Sequence, residues 1–273
     1  MTHILSKTQG KVILAGAGPG DPDLITLKTL RYLQSADVIL TDRLVSPELL
    51  NYAKPEAQIL YVGKQCSKGI HTSQKTINQL LAGYASKGYL VLRLKGGDSG
   101  LFSNILDELQ TLQDHGIPYE IIPGISAAFG ASAFSAIPLT ARGYAKGVRF
   151  LTLCDLNSIK QNQWQDWAQT DDTLVFYMSG QRISDLMSQL KDWKVSSHKK
   201  LAVIEQATTP YQKTQIFSWD QHDQLPIFSH VPTLIIVGAV VALHEQFRWK
   251  DENHEAVSYF DQHQIKEVYA AAN

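Results

Sequence analysis

The residues best suited to chemistry in this sequence stand at the ends of four short apolar segments. They are glycines and charged residues, at Gly16–Asp21, Asp42–Arg43, Gly63–Lys64 and Gly96–Asp98. Ligands of parallel sheets bind beyond the carboxyl ends of the strands, so these four sites are expected to face one cleft. Glycine also allows bare backbone to approach a ligand closely. The spacing therefore predicts a small-molecule site.

The first of these sites belongs to a strand–turn–helix unit between Lys11 and Leu33. The apolar run Val12–Leu14 is typical of a buried parallel strand, and a glycine-rich loop follows it. Asp21 and Pro22 have the residue types of a helix N-cap and a first helical residue. The apolar side of the predicted helix is formed by Leu24, Leu27, Leu30 and Leu33.

A nicotinamide-binding turn is the obvious alternative for this loop, but the spacing does not fit it. The G-x-G-x-x-G pattern requires a third glycine where Asp21 stands. Pro19 removes a backbone N–H that a pyrophosphate would use, and a carboxylate at the helix start would repel that phosphate. A loop rich in carbonyls and carrying Asp21 instead favours a cationic or neutral ligand.

Length and composition restrict the class of protein. The chain has 273 residues, of which 44% are hydrophobic and 19% charged, as in a folded α/β protein of one large or two smaller domains. Its net charge of −1 provides no general attraction to nucleic acid or membranes. Cys66 and Cys154 lack metal or redox spacing, and the longest apolar stretch, Leu234–Leu243, is too short to span a membrane. Without an apolar leader at its start, we expect a cytoplasmic protein with no metal.

Strand and helix patterns alternate along the chain, which predicts an α/β fold with a mainly parallel sheet. A break rich in proline and glycine separates an N-terminal α/β domain, 11–137, from a C-terminal α/β domain, 138–249. Residues 250–273 are predicted to form a polar tail. Two closely spaced late strands, Gln215–Ser218 and Thr233–Val237, suggest some antiparallel pairing. The predicted helices include Ser73–Ser86, Asn104–His115, Ser126–Ser135 and Gln181–Trp193.

The segments at these strand ends resemble the tetrapyrrole methylases, and among them the uroporphyrinogen-III C-methyltransferases. The matching segments are VILAGAGPGDPDLITL, ADVILTDRLVS, YVGK, RLKGGD, GIPYEIIPGISAA, IPLTARGYA, LVFYM, ATTP and PTLIIVGAVVAL. Each is weak alone, but their combination, in order along almost the whole chain, is specific. The resemblance implies two α/β domains of the tetrapyrrole methylase type with the cofactor cleft between them, in a homodimer.

The resemblance also implies a reaction and its residues. Members of the family transfer methyl groups from S-adenosylmethionine to two pyrrole carbons of uroporphyrinogen III, giving precorrin-2, the precursor of sirohaem and cobalamin. By resemblance, Asp42 is the proton acceptor and Lys64 the proton donor. The implied cofactor residues are Pro19, Gly96, Gly97, Asp98, Leu101, Ser126, Ala127, Met178 and Ala207. A basic cradle for the anionic tetrapyrrole is predicted at Arg43, Lys64, Lys68, Arg142, Lys146 and Arg149.

Several positions on the expected substrate side depart from the family pattern. Asn104 stands in place of an arginine, and Ile105 and Leu106 replace two glycines. Ala141 and Cys154 also stand in segments where the family carries a histidine. Two interpretations remain open: a uroporphyrinogen-III methyltransferase that uses other pocket residues, or a diverged copy that methylates slowly or acts on another tetrapyrrole. A cofactor-binding regulator is the non-enzymatic alternative.

Overall fold

The computed structural model describes residues 9–63, 72–153, 155–178, 182–224, 231–251 and 257–261. The chain divides into two compact units. One is Met1–Ser126 together with Phe260–Asn273, and the other is Ala127–Tyr259. Both units combine a five-stranded sheet with helices, which confirms the expected α/β class.

The sheet of the first unit is entirely parallel. Its strands are β1 (Lys11–Gly16), β2 (Val38–Thr41), β3 (Gln58–Tyr61), β4 (Leu90–Lys95) and β5 (Tyr119–Ile122), in the spatial order β3-β2-β4-β1-β5. The helices are α1 (Leu27–Ser35), α2 (Gln74–Ser86) and α3 (Ile105–Asp114). Val12 and Leu14 pack on the side of α2 and α3, whereas Ile13 packs on the side of α1. Because both faces of the sheet are covered, β1 and β2 are nearly continuous apolar runs.

The first helical region begins differently from its prediction. Asp21 caps a short 3-10 turn, Pro22–Leu24, by accepting the Asp23 N–H at 3.0 Å. The chain then becomes extended, and α1 begins at Leu27 after Thr26, whose hydroxyl accepts the Thr29 N–H at 3.2 Å. A single helix starting at Pro22 is therefore wrong, because Thr26 provides a second N-cap. Leu27 is 71% exposed and adds nothing to the expected apolar side.

The sheet of the second unit is mixed. Its strands are β6 (Val148–Thr152), β7 (Thr173–Tyr177), β8 (Lys200–Glu205), β9 (Lys213–Phe217) and β10 (Thr233–Gly238), in the order β6-β7-β10-β8-β9. β6 and β7 are parallel, and the other three pairings are antiparallel. The antiparallel pairing expected from the late strands is therefore confirmed, although β9 and β10 do not pair with each other. β10 inserts between β7 and β8 because it is buried on both faces, and β9 lies at the edge.

The helices of the second unit are α4 (Ala127–Phe134), α5 (Gln161–Gln169), α6 (Ile183–Asp192) and α7 (Leu243–Phe247). Ala128 and Ala131 of α4 pack in one cluster with Ile236 of β10. The unit boundary therefore lies before α4, whereas the sequence analysis placed the domain boundary after residue 137. Part of the expected tail is also held here, because the Gln206 amide donates to the Val257 carbonyl at 2.8 Å.

Candidate functional site

The loops that follow the five parallel strands contact one another in the order in which the strands lie. At each contact a glycine leaves no room for a side chain: Gly63 against Arg43, Gly96 against Leu44, Gly16 against Gly97, and Gly124 against Gly97 and Gly16. A Cβ added at any of these four glycines would stand 2.3 to 2.7 Å from a backbone atom of the neighbouring loop. The described residues of the four predicted sites therefore lie in one continuous row at the carboxyl ends of the first sheet's strands.

Two glycines join the loop after β1 to the loop after β4. The Gly97 N–H donates to the Gly18 carbonyl at 2.7 Å, and the Gly18 N–H donates to the Gly97 carbonyl at 3.1 Å. Both residues have positive φ angles, 85° and 68°, which glycine adopts without strain. Pro19 follows Gly18 directly, so this pair brings it close to the predicted cofactor turn at Gly96–Asp98.

Asp98 extends this network to the loop after β5. Its Oδ2 accepts the Gly124 N–H at 2.9 Å, and its Oδ1 accepts the Gly100 N–H at 2.8 Å. The neighbouring Ser99 hydroxyl donates to the Ile122 carbonyl at 3.1 Å. The structure thus gives the Asp98 carboxylate contacts within the protein itself, where it holds two loops together. Leu101 and Ser126 are on these same two loops.

Asp42 follows β2, and its carboxylate is bound by Arg93 of β4. Arg93 Nη2 donates to Asp42 Oδ1 at 2.6 Å. The Asp42 side chain is 28% exposed, whereas that of Arg93 is 3% exposed. The predicted proton acceptor therefore has one carboxylate oxygen fixed from the protein interior while the group remains accessible.

The interior side of this ion pair contains residues that the sequence analysis missed. Arg93 Nε donates to Glu108 Oε1 at 2.9 Å, and Lys95 Nζ donates to Glu108 Oε2 at 2.8 Å. A signal was present in the strand, because LVLRLK places two basic residues at alternate positions of an otherwise apolar segment. Alternate strand residues point to the same side, and buried cations require partners.

Burial and the neighbouring charges change the pKa values of the two cations in opposite directions. Burial by itself would lower the pKa of Arg93, but the carboxylates of Asp42 and Glu108 outweigh it, so this pKa is raised. Burial lowers the pKa of Lys95, and the positive charge of Arg93 lowers it further, against the opposing effect of Glu108. Arg93 therefore keeps its positive charge between the two carboxylates.

The predicted cofactor residues of the second unit also lie together, at one end of the strands of its sheet. β7 and β8 both run antiparallel to β10 and therefore point the same way, so Met178 and Ala207 follow strand ends on the same edge. The Ala128 N–H donates to the Tyr177 hydroxyl at 3.1 Å, which brings the start of α4 to this edge.

Three residues that follow β7 and β8 have positive backbone φ angles. Met178, Gln206 and Thr208 have φ angles of 52°, 49° and 69°, which residues other than glycine rarely adopt. Such conformations persist where the surrounding structure imposes them, and they concentrate at functional sites. Met178, which directly follows β7, is 50% exposed.

The residues predicted to cradle the substrate differ in exposure and in their ion-pair partners. Arg142 and Lys146 are exposed. Arg149 instead binds within the second unit, where its Nε donates to Asp172 at 2.8 Å and its Nη1 to Asp166 at 2.5 Å. Four residues singled out in the sequence analysis, Lys64, Cys66, Lys68 and Cys154, lie outside the described residues.

Among the described residues, no group of three His, Cys, Asp or Glu side chains is placed to hold a metal ion. Over the same ranges, no helix combines the length and the apolar composition that crossing a membrane requires. The buried charges of the first unit pair with one another, as Arg93 does with Asp42 and Glu108.

The fold and its strand-end loops define an α/β protein with a candidate small-molecule site at the carboxyl ends of its strands. The family model described as "Tetrapyrrole (Corrin/Porphyrin) Methylases" matches residues 11–221. This match covers most of the chain, including the whole first sheet and four of the five strands of the second. The chain belongs to the tetrapyrrole methylase family, which confirms the resemblance found in its motifs.

Individual relatives support this membership. The siroheme synthase of Vesicomyosocius okutanii is 42% identical over 244 residues, which are 89% of this chain and 52% of that protein. The siroheme synthase of Pseudomonas aeruginosa strain PAO1 is 43% identical over 251 residues, which are 91% of this chain and 53% of that protein. The chain thus spans about half the length of the curated relatives that it matches.

One solved structure matches this chain over nearly the whole of its own length, which the siroheme synthases do not. The uroporphyrin-III-C-methyltransferase of Thermus thermophilus superposes with a TM-score of 0.74 and 33% sequence identity, over 89% of this chain and 99% of that one. A structure of the Thermus thermophilus enzyme complexed with S-adenosylhomocysteine also superposes, with a TM-score of 0.71 and 32% identity, over 86% of this chain and 100% of that one.

Proposed function

We propose that this chain transfers methyl groups from S-adenosylmethionine to carbon atoms of uroporphyrinogen III. The observation that carries the proposal is the continuous row of strand-end loops in the first unit, which contains the GAGPGD, DRLVS and GGD motifs. The likeness to the Thermus thermophilus uroporphyrin-III-C-methyltransferase over 99% of that chain supports the same reaction. The complex of that enzyme with S-adenosylhomocysteine supports the cofactor.

The loops that follow β1 and β4 fit a cofactor that carries a positive sulfonium. The loops Gly16–Asp21 and Gly96–Leu101 contain no Lys, Arg or His, and they carry the carboxylates of Asp21 and Asp98. The buried cation Arg93 is balanced by carboxylates on both sides. A phosphate cradle would have the opposite character, because it needs backbone N–H groups or cations directed at the ligand. The loops therefore favour S-adenosylmethionine over a phosphate-bearing cofactor.

Positioning is the main task assigned to these loops. S-adenosylmethionine supplies an activated methyl group, and transfer requires the acceptor carbon to be aligned behind the sulfur–methyl bond. In the first unit we assign this positioning to Pro19, Gly96, Gly97, Asp98, Leu101 and Ser126. In the second unit we assign it to Ala127, Met178 and Ala207. In the first unit, the close glycine contacts mean that a shift of one loop would displace its neighbour.

Proton transfer is assigned to two residues of the strand ends. A pyrrole carbon that gains a methyl group makes the ring cationic, so a proton must leave, and the Asp42 carboxylate is its acceptor. Lys64, outside the described residues, is the assigned proton donor. Arg43, Lys68, Arg142 and Lys146 remain the proposed cradle for the substrate carboxylates. Arg149 is engaged with Asp166 and Asp172, so we assign it a structural role instead.

The test is a methyl-transfer assay with uroporphyrinogen III and S-adenosylmethionine. We expect Asp42→Asn to lower kcat by about 10²–10⁴-fold, the usual contribution of a positioned proton acceptor, with little change in S-adenosylhomocysteine affinity. Asp114→Asn, at the end of α3, is the matched control and should behave like the unchanged protein.

Three results would contradict the proposal. Methylation of a different tetrapyrrole in place of uroporphyrinogen III would identify a diverged enzyme. Binding of S-adenosylhomocysteine without methylation of any tetrapyrrole would indicate a cofactor-binding regulator. Full activity of Asp42→Asn would remove Asp42 from the mechanism.

We also propose that the chain forms a homodimer in the cytoplasm. The resemblance to the family supports the dimer, and the net charge of −1 provides no general attraction to nucleic acid as a partner. Light scattering on the purified chain should give about twice its mass of 30.4 kDa. A mass equal to one chain would contradict the dimer and leave the assignment of the reaction intact.

A further inference from the structure

The Arg93 guanidinium connects Asp42 to the interior of the first unit. Its Nη2 donates to Asp42 Oδ1 at 2.6 Å and its Nε to Glu108 Oε1 at 2.9 Å. Its Nη1 donates to the backbone carbonyls of Leu94, at 3.2 Å, and Leu40, at 3.4 Å. These partners lie on β2 and its following loop, on β4, and on α3. Three elements of the fold therefore determine where the guanidinium lies.

Glu108 fixes the guanidinium from the side opposite Asp42. Its carboxylate is completely buried, with one oxygen bound to Arg93 and the other to Lys95. A buried carboxylate is tolerated when both oxygens are satisfied by cations, and removing one partner leaves an uncompensated charge. The cluster contains two carboxylates and two basic side chains, so each group restricts the orientation of the next. Arg93 consequently has little freedom to follow a moving Asp42.

We propose that Arg93 is a positioning residue, which holds Oδ1 of Asp42 so that Oδ2 is directed at the proton that leaves the substrate. This inference depends on the proposed role of Asp42 as the proton acceptor. A guanidinium bound to one carboxylate oxygen fixes the plane of the carboxylate. Glu108 and Lys95 act one step further away, by holding Arg93.

Lysine cannot replace arginine in this arrangement. The planar fork of Arg93 reaches Glu108 through Nε and Asp42 through Nη2 at the same time. A lysine ammonium is a single point of charge on a flexible stem and cannot reproduce both directions. Arg93→Lys therefore keeps the positive charge and removes the geometry.

A purely structural role for the cluster makes a different prediction. In that case, Arg93→Lys would lower the stability of the fold, and any loss of kcat would be independent of Asp42. If Arg93 acts through Asp42, replacing Arg93 should lower kcat while the Asp42 carboxylate is present. In the Asp42→Asn variant, the same replacement should have no further effect on kcat. Effects of residues that act as one unit are not additive, and a double-mutant cycle detects this.

The experiment compares the unchanged chain with Arg93→Lys, Asp42→Asn and the double variant, assayed with uroporphyrinogen III. We expect Arg93→Lys to lower kcat by roughly 10-fold or more, with KM and S-adenosylhomocysteine affinity changed less than about twofold. In the Asp42→Asn background, the same replacement should change kcat less than about twofold. Equal fold-losses in both backgrounds would overturn the positioning role.

Lys199→Met is the matched control for the loss of a buried cation. Lys199 lies in the second unit, where its ammonium donates to the Ala168 carbonyl at 3.0 Å and to the Thr170 carbonyl. This variant should lower the unfolding temperature and leave kcat unchanged. If Arg93→Lys fails to fold, Glu108→Gln takes its place in the cycle. It removes the charge that holds Arg93, and its loss of kcat should likewise vanish in the Asp42→Asn background.

The two possible failures are distinguishable. If Asp42→Asn retains full kcat, the proposed role of Asp42 is wrong and the inference falls with it. If Asp42→Asn lowers kcat but Arg93→Lys does not, the proposed function stands and the positioning role alone is refuted.

Discussion

The Asp98 carboxylate accepts the backbone N–H of Gly124 at 2.9 Å and thereby ties the loop after β4 to the loop after β5. The same carboxylate accepts the Gly100 N–H at 2.8 Å. One side chain therefore shapes its own turn and secures the neighbouring loop. Because β1 lies between β4 and β5 in the sheet, this bond closes the row of loops around the end of β1.

Asp98→Ala should destabilise the protein and weaken cofactor binding together. Hydrogen bonds to charged groups contribute about 1.5–3 kcal/mol, so we expect the free energy of unfolding in urea to fall by that order. We also expect calorimetry to show a substantially weaker affinity for S-adenosylhomocysteine, because the loops would separate. Asp98→Asn keeps one carbonyl acceptor and should lose less of both. Unaltered stability of Asp98→Ala would show that the loops are held by other contacts.

Gly124→Ala and Gly83→Ala should change stability in opposite directions. A Cβ at Gly124 would stand 2.3 Å from the Gly97 carbonyl oxygen, whereas a Cβ at Gly83, inside α2, meets nothing within 4 Å. Overpacking costs about 1–3 kcal/mol, and alanine in a helix gains about 0.5–1 kcal/mol over glycine. Thermal unfolding of both variants measures the difference. A neutral Gly124→Ala would mean that the loop contact yields easily.

The stability contributed by Glu120 should depend on pH. Lys11 donates to Glu120 at 2.6 Å and Tyr32 at 2.8 Å, and Lys28 also pairs with it. Its hydrogen bonds to Lys11, Lys28 and Tyr32 lower the pKa of Glu120 from 4.5 to about 2. A carboxylate with a lowered pKa in the folded state stabilises the protein above the pKa of its unfolded state. This contribution is lost as the pH falls through the folded pKa.

We therefore expect the unchanged protein to exceed Glu120→Gln in unfolding free energy near neutral pH. The difference should close as the pH falls from about 4.5 toward about 2. Urea unfolding at several pH values measures it, and added salt should reduce it because the partner lysines are partly exposed. A difference that stays constant across this pH range would show that the Glu120 charge is not its source.

Much of the fold could be predicted from the sequence because its signals are local. The apolar run at Val12–Leu14 and the glycines that follow it lie within a few residues of each other, and they indicated β1 and its loop directly. The start of α1 was harder to predict, because Asp21 and Thr26 are both good N-caps and lie five residues apart. Only the extended backbone at Ile25 decides between them.

The strand order of the second unit could not be predicted from the sequence. The sequence shows β9 and β10 as neighbours, but β10 is apolar on both faces and is most stable in the centre of the sheet. Burial therefore decided which strands pair, and proximity along the chain did not. The same argument moved α4 into the second unit, since its small apolar face packs against Ile236.

By itself, the sequence determined the α/β class, the family and the strand ends where the chemistry is expected, because glycines and charges in short motifs carry that information locally. The tertiary structure alone decided that Arg93 binds Asp42 from 51 residues away and that Glu108 holds Arg93. A buried charge takes whichever partner the packing of strands and helices brings within reach, and no local pattern specifies that partner.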